Sequence, residues 1–248
     1  MSDSLAPERV EPLLAGGFGK PYLFESACES TQKLLDPGLD EGAVAVCDEQ
    51  TGGRGRLDRG WSAPPGTAIL MSVLLRPPEE RPLPEISLVA GVAVSLTVER
   101  ATGLTAQIKW PNDVMLNRRK VAGILAEAQG GTVVLGIGLN VNQTRDELPA
   151  DTKIPAGSLR VADAVVRDRA ALLADVLVEL ERTYKLWSAG GLDAIYEEVG
   201  SRDFLRGRRV TVDGQEGLAT GVGRDGRLEV AVEGEARFVE SGEVAYVR

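Results

Sequence analysis

The sequence predicts an α+β chain: a sheet packed by a few helices, followed by a small antiparallel β-barrel. Three observations predict it. Apolar runs of strand length recur up to residue 142, and two longer segments repeat apolar residues every three to four positions. Beyond Arg206 the chain breaks into the short pieces RRVTV, GLATGVG, RLEVAVEG, ARFVE and VAYVR, separated by Asp-Gly, Glu-Gly and Ser-Gly turns.

In order, residues 1–20 carry Pro, Gly and acidic groups without a period and are expected to form a loose lead-in segment. A strand is expected at 21–25, a helix opening near Ser30 or Thr31, and a strand at 42–49. The run TAILMSVLL at 67–75 has the length and continuous apolarity of a strand buried on both faces. From Pro84 to about Arg100, Ile86, Val89, Val92, Ala93 and Leu96 define an amphipathic helix that stops before Gly103. Strands follow at 105–110, 112–117, 121–129 and 132–142, with NRRK at 117–120 as a hairpin turn. Leu172, Leu173, Val176, Leu177, Leu180, Tyr184 and Trp187 line one face of a helix over 168–188, and a shorter helix is expected near 192–199. The domain reading is 1–20 lead-in, 21–203 main domain, and 204–248 barrel.

A chain of 248 residues accommodates one medium domain with a small appendage. Aromatics are only 4% of it, so the core must be built from Val, Leu, Ile and Ala. The absence of any membrane-length apolar run, and an N-terminus without the order of a signal peptide, predict a cytoplasmic protein. Cys28 and Cys47 have no metal-ligand partners in sequence and are expected as buried small hydrophobes. There is no histidine, which removes the usual general base and the Ser-His and Cys-His nucleophile pairs. Chemistry here must run on charge, carboxylates, lysine and backbone amides. A net charge of −9 argues against broad nucleic-acid binding.

Against that acidic background, four segments stand out. Between Gln50 and Trp61, Gly52, Gly53 and Gly55 alternate with Arg54, Arg56 and Arg59, so free amides and permanent cations can wrap an anion. Scattered charges on a solvated turn read equally well. KWPND at 109–113 joins Lys109, a fixed positive charge, to the oxygen-bearing Asn112 and Asp113, and Asp113 can bind a magnesium ion that escorts a triphosphate. Taken alone, Pro-Asn-Asp is also a common turn and Trp110 a common core residue. RRKVAGILAEAQ at 118–129 begins basic and contains Gly123, where a ligand can approach the backbone or a hairpin can bulge. VLGIGLNVNQ at 134–143 places Gly136, Gly138 and Asn140 on one strand face.

Together, in order and spacing, these segments resemble the biotin protein ligase family: its GRGRxGRxW loop, KWPND box, K-x-x-G-I-L-x-E strand and G-I-G-x-N strand. ESTQ from Glu29 is similar to the family's E-S-T-N, and the resemblance runs to the C-terminus. It implies a mixed sheet akin to the class II aminoacyl-tRNA synthetase core, then an SH3-like barrel. It also implies a monofunctional ligase lacking the N-terminal DNA-binding domain, with no DNA partner, as a monomer or weak homodimer.

The implied reaction joins biotin and ATP into biotinyl-5′-AMP, with Mg2+, and passes biotin to a lysine of the biotin carboxyl carrier domain of an acyl-CoA carboxylase. Ser30, Thr31 and Gln50 match positions that hydrogen-bond biotin, and Gly123, Gly136 and Gly138 match the bare backbone that accommodates it. Arg54 matches an arginine that closes over the adenylate, Lys120 the lysine between carboxylate and phosphate, and Lys109 a further catalytic cation. On the ATP side stand Gly53, Gly55, Arg56, Arg59, Trp61 and Asn140, with Asn112 and Asp113 for the metal. Two departures are present: Asp58 replaces a loop glycine, and Gln32 replaces an asparagine. The rival readings are a lipoate or octanoate ligase or transferase of the same fold, and a non-catalytic nucleotide- or nucleic-acid-binding module.

Overall fold

The computed structural model describes residues 3–57, 59–150, 152–212, 214–242 and 244–246. Asp58 lies outside the described residues. The chain opens on α1 (Pro7–Val10), a single turn with Pro at its start. Its surroundings overturn the expectation of a loose lead-in. Leu5 and Val10 are fully buried, the Tyr22 hydroxyl donates to Leu5 O at 2.7 Å, and Asp3 pairs with Arg169 at 2.9 Å. Two apolar anchors and one carboxylate for a buried guanidinium hold a stretch that has no periodicity to announce it.

The main sheet takes β1 (Tyr22–Cys28), β2 (Val44–Gln50) and β3 (Ala68–Leu75), then α2 (Ile86–Thr102), β4 (Ala106–Lys109), β5 (Asp113–Leu116), β6 (Arg119–Gln129) and β7 (Thr132–Asn140). Spatial order is β1-β2-β3-β7-β6-β5-β4. β1 and β2 run parallel and the other neighbours antiparallel, so the sheet is mixed. Every residue of β3 is buried, as its unbroken apolarity requires. Instead of a helix after Ser30 there is one 3₁₀ turn, Thr31–Leu34. The hairpin turn narrows to Asn117 and Arg118, both at positive φ (49° and 61°), which is the two-residue type I′ geometry. Arg119 and Lys120 already belong to β6.

α2 is not amphipathic. Leu88, Ala90, Gly91 and Val94 are buried along with Ile86, Val89, Val92 and Ala93 of the predicted stripe, while Leu96 is partly buried, because the helix lies between β4–β6 and a second helix. That helix, α4 (Arg169–Gly190), follows the short α3 (Leu159–Asp163), is capped by Asp168, and buries every member of its predicted stripe. Its first residue, Arg169, has no exposed surface and donates to Asp3, to Asp48 at 2.9 Å and to Ala68 O at 2.8 Å. One guanidinium thereby ties the N-terminal segment, β2, β3 and α4 together.

α5 (Tyr196–Ser201) leads to the five-stranded antiparallel, SH3-like unit of β8 (Arg209–Val212), β9 (Gln215–Val222), β10 (Leu228–Val232), β11 (Glu235–Val239) and β12 (Ala245–Tyr246), ordered β11-β10-β9-β8-β12. It is fastened to the main sheet by buried polar contacts. Asp203 accepts from the amides of Leu205, Arg206 and Val222 at 2.9–3.2 Å, and Trp110 Nε1 donates to Gly226 O at 2.9 Å. Among the described residues no helix is long and apolar enough to cross a membrane. Cys28 and Cys47 are unbridged, Cys47 being buried and Cys28 partly so, and their Sγ atoms meet across β1 and β2 at 3.0 Å.

Candidate active site

The central strands of a sheet buried on its far side leave one face for a ligand, and glycines decide where that face is open. Gly138 on β7 pairs with Leu70 on β3 and Gly123 on β6, and two positions along, Gly136 pairs with Ser72 and Leu125. With no side chains at these points, the three strands form the floor of a slot. The slot opens into a cavity of about 520 Å3, the size of a small-molecule site. Ser30, Thr31, Gln50, Arg54, Gly55, Arg56, Arg59, Trp61, Lys109, Asn112, Asp113, Lys120, Gly123, Gly136, Gly138 and Asn140 all line it.

Gly53, assigned to ATP from the resemblance, does not line that cavity. A Cβ there would lie 2.2 Å from Trp61 O, so its bareness serves closure of the loop. The loop folds back as a tight hairpin, with Trp61 N donating to Gly53 O at 2.9 Å and Gly55 N to Arg59 O at 2.6 Å.

The two ends of the slot differ chemically. Beside Gly136, Gln50 Oε1 accepts from Thr31 N at 2.8 Å, and the hydroxyls of Thr31 and Ser72 meet at 2.8 Å. This end is neutral and polar. At the other end, beyond Gly123, Lys120 Nζ pairs with Asp113 Oδ1 at 2.6 Å, Lys109 is buried, and Arg56 is close enough to Asp113 to feel its charge. Burial pulls the Arg56 guanidinium below its ordinary value and Asp113 opposes the shift, but an arginine stays charged at neutral pH.

The Trp61 indole lies on the glycine floor: Cβ atoms at Gly138 and Gly123 would fall 2.4 and 2.8 Å from its ring. Lys120 Nζ sits 5.5 Å from the ring centroid, a cation–π distance. Two predicted ligand groups are also engaged within the protein. Asn112 Nδ2 donates to Ile124 O at 2.7 Å, and Asn140 donates to Gly157 O at 2.9 Å while accepting from Gln143 at 2.8 Å.

Arg54 shares the cavity with Lys120 but its head does not reach toward it. Nη2 donates to Glu127 Oε2 at 2.7 Å and to Gln32 Oε1 at 3.3 Å, at the neutral end of the slot. Asp113, not Arg54, is what the fold brings to Lys120. Sequence reasoning missed Ser72, Lys153 and the barrel residues Val244 and Tyr246, which also line the cavity. Ser72 carried a signal, as the one polar residue in an otherwise apolar strand. Nothing in the sequence marked the others.

Residues 24–143 match the Biotin/lipoate A/B protein ligase family. The Bifunctional ligase/repressor BirA of Bacillus spizizenii is 38% identical over 189 residues, which are 71% of this chain and 58% of that protein. The chain thus spans somewhat over half the length of that relative. The Biotin--[acetyl-CoA-carboxylase] ligase of Mycobacterium tuberculosis is 35% identical over 219 residues, 84% of this chain and 80% of that protein. Among solved structures, the biotin protein ligase from Aquifex aeolicus, in complex with biotin and ATP, is similar with a TM-score of 0.82 at 30% identity, covering 91% of this chain and 98% of that one. With 35% identity over four-fifths of the mycobacterial ligase, and the fold and slot described above, the chain belongs to the biotin/lipoate A/B protein ligase family.

Proposed function

We propose that the protein activates biotin with ATP to biotinyl-5′-AMP and transfers the biotinyl group to a lysine of a carboxylase carrier domain. The observation that carries this reading is the polarity of the slot: a neutral hydrogen-bonding end at Thr31, Gln50 and Ser72, a glycine floor on which the Trp61 indole lies, and a cationic end at Lys120, Lys109 and Arg56. A neutral ureido ring, an aliphatic chain and a carboxylate match that order. The relatives named as biotin ligases, and the Aquifex aeolicus structure holding biotin and ATP, support it.

In the first step a biotin carboxylate oxygen attacks the ATP α-phosphorus, the bond to pyrophosphate breaks and pyrophosphate leaves. In the second the neutral amine of the acceptor lysine attacks the biotinyl carbonyl, an amide forms, AMP departs and the amine gives up its proton. The protein supplies no nucleophile. Its part is to let two anions meet, and Lys120 and Arg56 place positive charge where carboxylate and phosphate converge. Asp113 holds the Lys120 ammonium in place before ligands arrive.

Among the described residues no group of three or more Asp, Glu, Cys or His side chains is placed to cage a metal ion. Magnesium needs none, since it binds through one or two carboxylates with phosphates and water completing its shell. Asp113 fits as that carboxylate, and the ion would neutralise triphosphate charge. Asn112 is a poorer candidate, because its amide already braces β6.

The test is purified protein with biotin and Mg-ATP, assayed for pyrophosphate, and then with a carrier domain, assayed by mass spectrometry for a biotinyl addition on lysine. Pyrophosphate release with lipoate or octanoate and none with biotin would overturn the reading in favour of the sister activity.

A further inference from the structure

The neutral end of the slot does not end at a solid wall. Behind it lies a second hollow of about 310 Å3, lined by Gln32, Lys33, Leu35, Arg54, Glu127 and Gln129, among others. Gln32 and Arg54 line both spaces, so their side chains are the partition between them. Each is held in place. Gln32 Nε2 donates to Leu125 O at 3.3 Å, and its Oε1 accepts from Arg54 Nη2 at 3.3 Å. Glu127, outside the slot, fixes Arg54 from the far side at 2.7 Å. Gln32 also presses on the floor: a Cβ at Gly136 would meet its Nε2 at 3.2 Å. The ion pair is open to water, with its side chains 49% and 38% exposed, so it is a weak tether that a moderate force can open.

We propose that Gln32, with the Arg54 that it and Glu127 hold, is the specificity-determining wall at the ring end of the slot. It limits the acids this enzyme activates to those whose ring system is no larger than biotin's, and the hollow behind it is a latent extension of the site. The inference rests on the function proposed above, which puts the ureido ring at the neutral end. It differs from that function in concerning only what is refused. A glutamine reaches the Leu125 carbonyl and Arg54 together from the 3₁₀ turn after Ser30, and truncating it to alanine removes both contacts and joins the two spaces. A biotin substituted on a ureido nitrogen with a propyl group then has room in an existing hollow.

The experiment measures pyrophosphate release with biotin and with N-propylbiotin for the wild type, Gln32→Ala and Glu127→Gln, with direct binding of both acids by calorimetry. The wild type should prefer biotin by roughly 10- to 200-fold, the range expected when a substrate carries a group for which the pocket has no room. Gln32→Ala should lose some efficiency with biotin and shift the ratio of kcat/KM values toward the analogue by about 30-fold or more. Glu127→Gln, which loosens Arg54 and leaves Gln32, should shift it in the same direction by less. The proposal is overturned if the wild type binds both acids alike, or if Gln32→Ala binds biotin yet discriminates as the wild type does. A wild type that binds biotin and releases no pyrophosphate would refute the catalytic reading, whereas calorimetric discrimination would still judge the wall.

Discussion

Alanine at Gly138 tests the slot most directly, because the backbone there tolerates a side chain and the space does not. Gly138 lies in β7, paired on both sides, and its φ is not in the left-handed region. A Cβ would sit 2.4 Å from Trp61 Cε2 and 2.6 Å from Nε1. Carbon contacts settle at about 3.5–4.0 Å, so the indole must retreat by roughly 1 Å or more. Overpacking of that kind costs about 1–3 kcal/mol, and the methyl group also stands where the biotin chain is to lie. A methyl group that crowds the biotin chain to the same degree should raise the dissociation constant for biotin about 5- to 150-fold, at about 1.4 kcal/mol per tenfold. Calorimetry reads the affinity, and thermal unfolding reads the fold. In Gly138→Ala/Trp61→Ala the added methyl group has no indole to displace, so alanine at 138 should cost no melting temperature beyond that of Trp61→Ala, while biotin affinity should stay low. Binding within twofold of wild type in Gly138→Ala would show that biotin does not lie on this floor.

Lys120→Ala should lose adenylate formation far more than biotin binding, since the ammonium acts where charge converges; equal losses, read by pyrophosphate release and calorimetry, would remove it from that role. Asp58→Gly should preserve or improve the KM for ATP, by removing a negative charge from the arginine loop; a tenfold loss in ATP affinity would make Asp58 a working part. Asp203→Ala leaves the amides of Leu205, Arg206 and Val222 without their acceptor. At about 1–3 kcal/mol, and about 2–4 °C for each, the melting temperature should fall by roughly 2–12 °C. Asp163→Asn probes pH. Its hydrogen bond with Arg167 holds the Asp163 carboxyl below its ordinary 3.8, so the contribution is present above that value and fades as pH falls through the lower, folded one. The variant should therefore melt below wild type at neutral pH and converge with it in strong acid.

The elements that announced themselves were those whose burial follows one rule. β3 is buried on both faces and is apolar throughout; α4 is buried along one stripe and repeats every three to four residues. α2 obeyed neither rule alone. Its stripe was legible, but the small residues Ala90 and Gly91 outside the stripe are buried as well, with Ile108 packed 3.4 Å from where a Gly91 Cβ would stand. Smallness marks close approach as often as exposure, and sequence does not separate the two. The anchoring of residues 3–20 was invisible for a related reason, because it depends on Asp3 meeting Arg169, 166 positions away.

The site divides along the same line. Glycines and cations within a segment were legible, because a bare backbone or a fixed charge keeps its chemical meaning wherever it lies. Which charges meet was not, because that is set by strand register. The bulge between Val114 and Met115 shifts the pairing so that Lys120 faces Met115 and Gly123 faces Asp113, and it is this shift that sets the ammonium beside the Asp113 carboxylate. Arg54 is drawn the other way, to Glu127, seven residues further along the strand that carries Lys120. For a chain without histidine, that separation has a chemical logic. Proton transfer from a side chain is not what the reaction demands, so positive charge belongs at the junction of carboxylate and phosphate. A second cation tied down at the opposite end can shape the slot without competing for the substrate's negative charge.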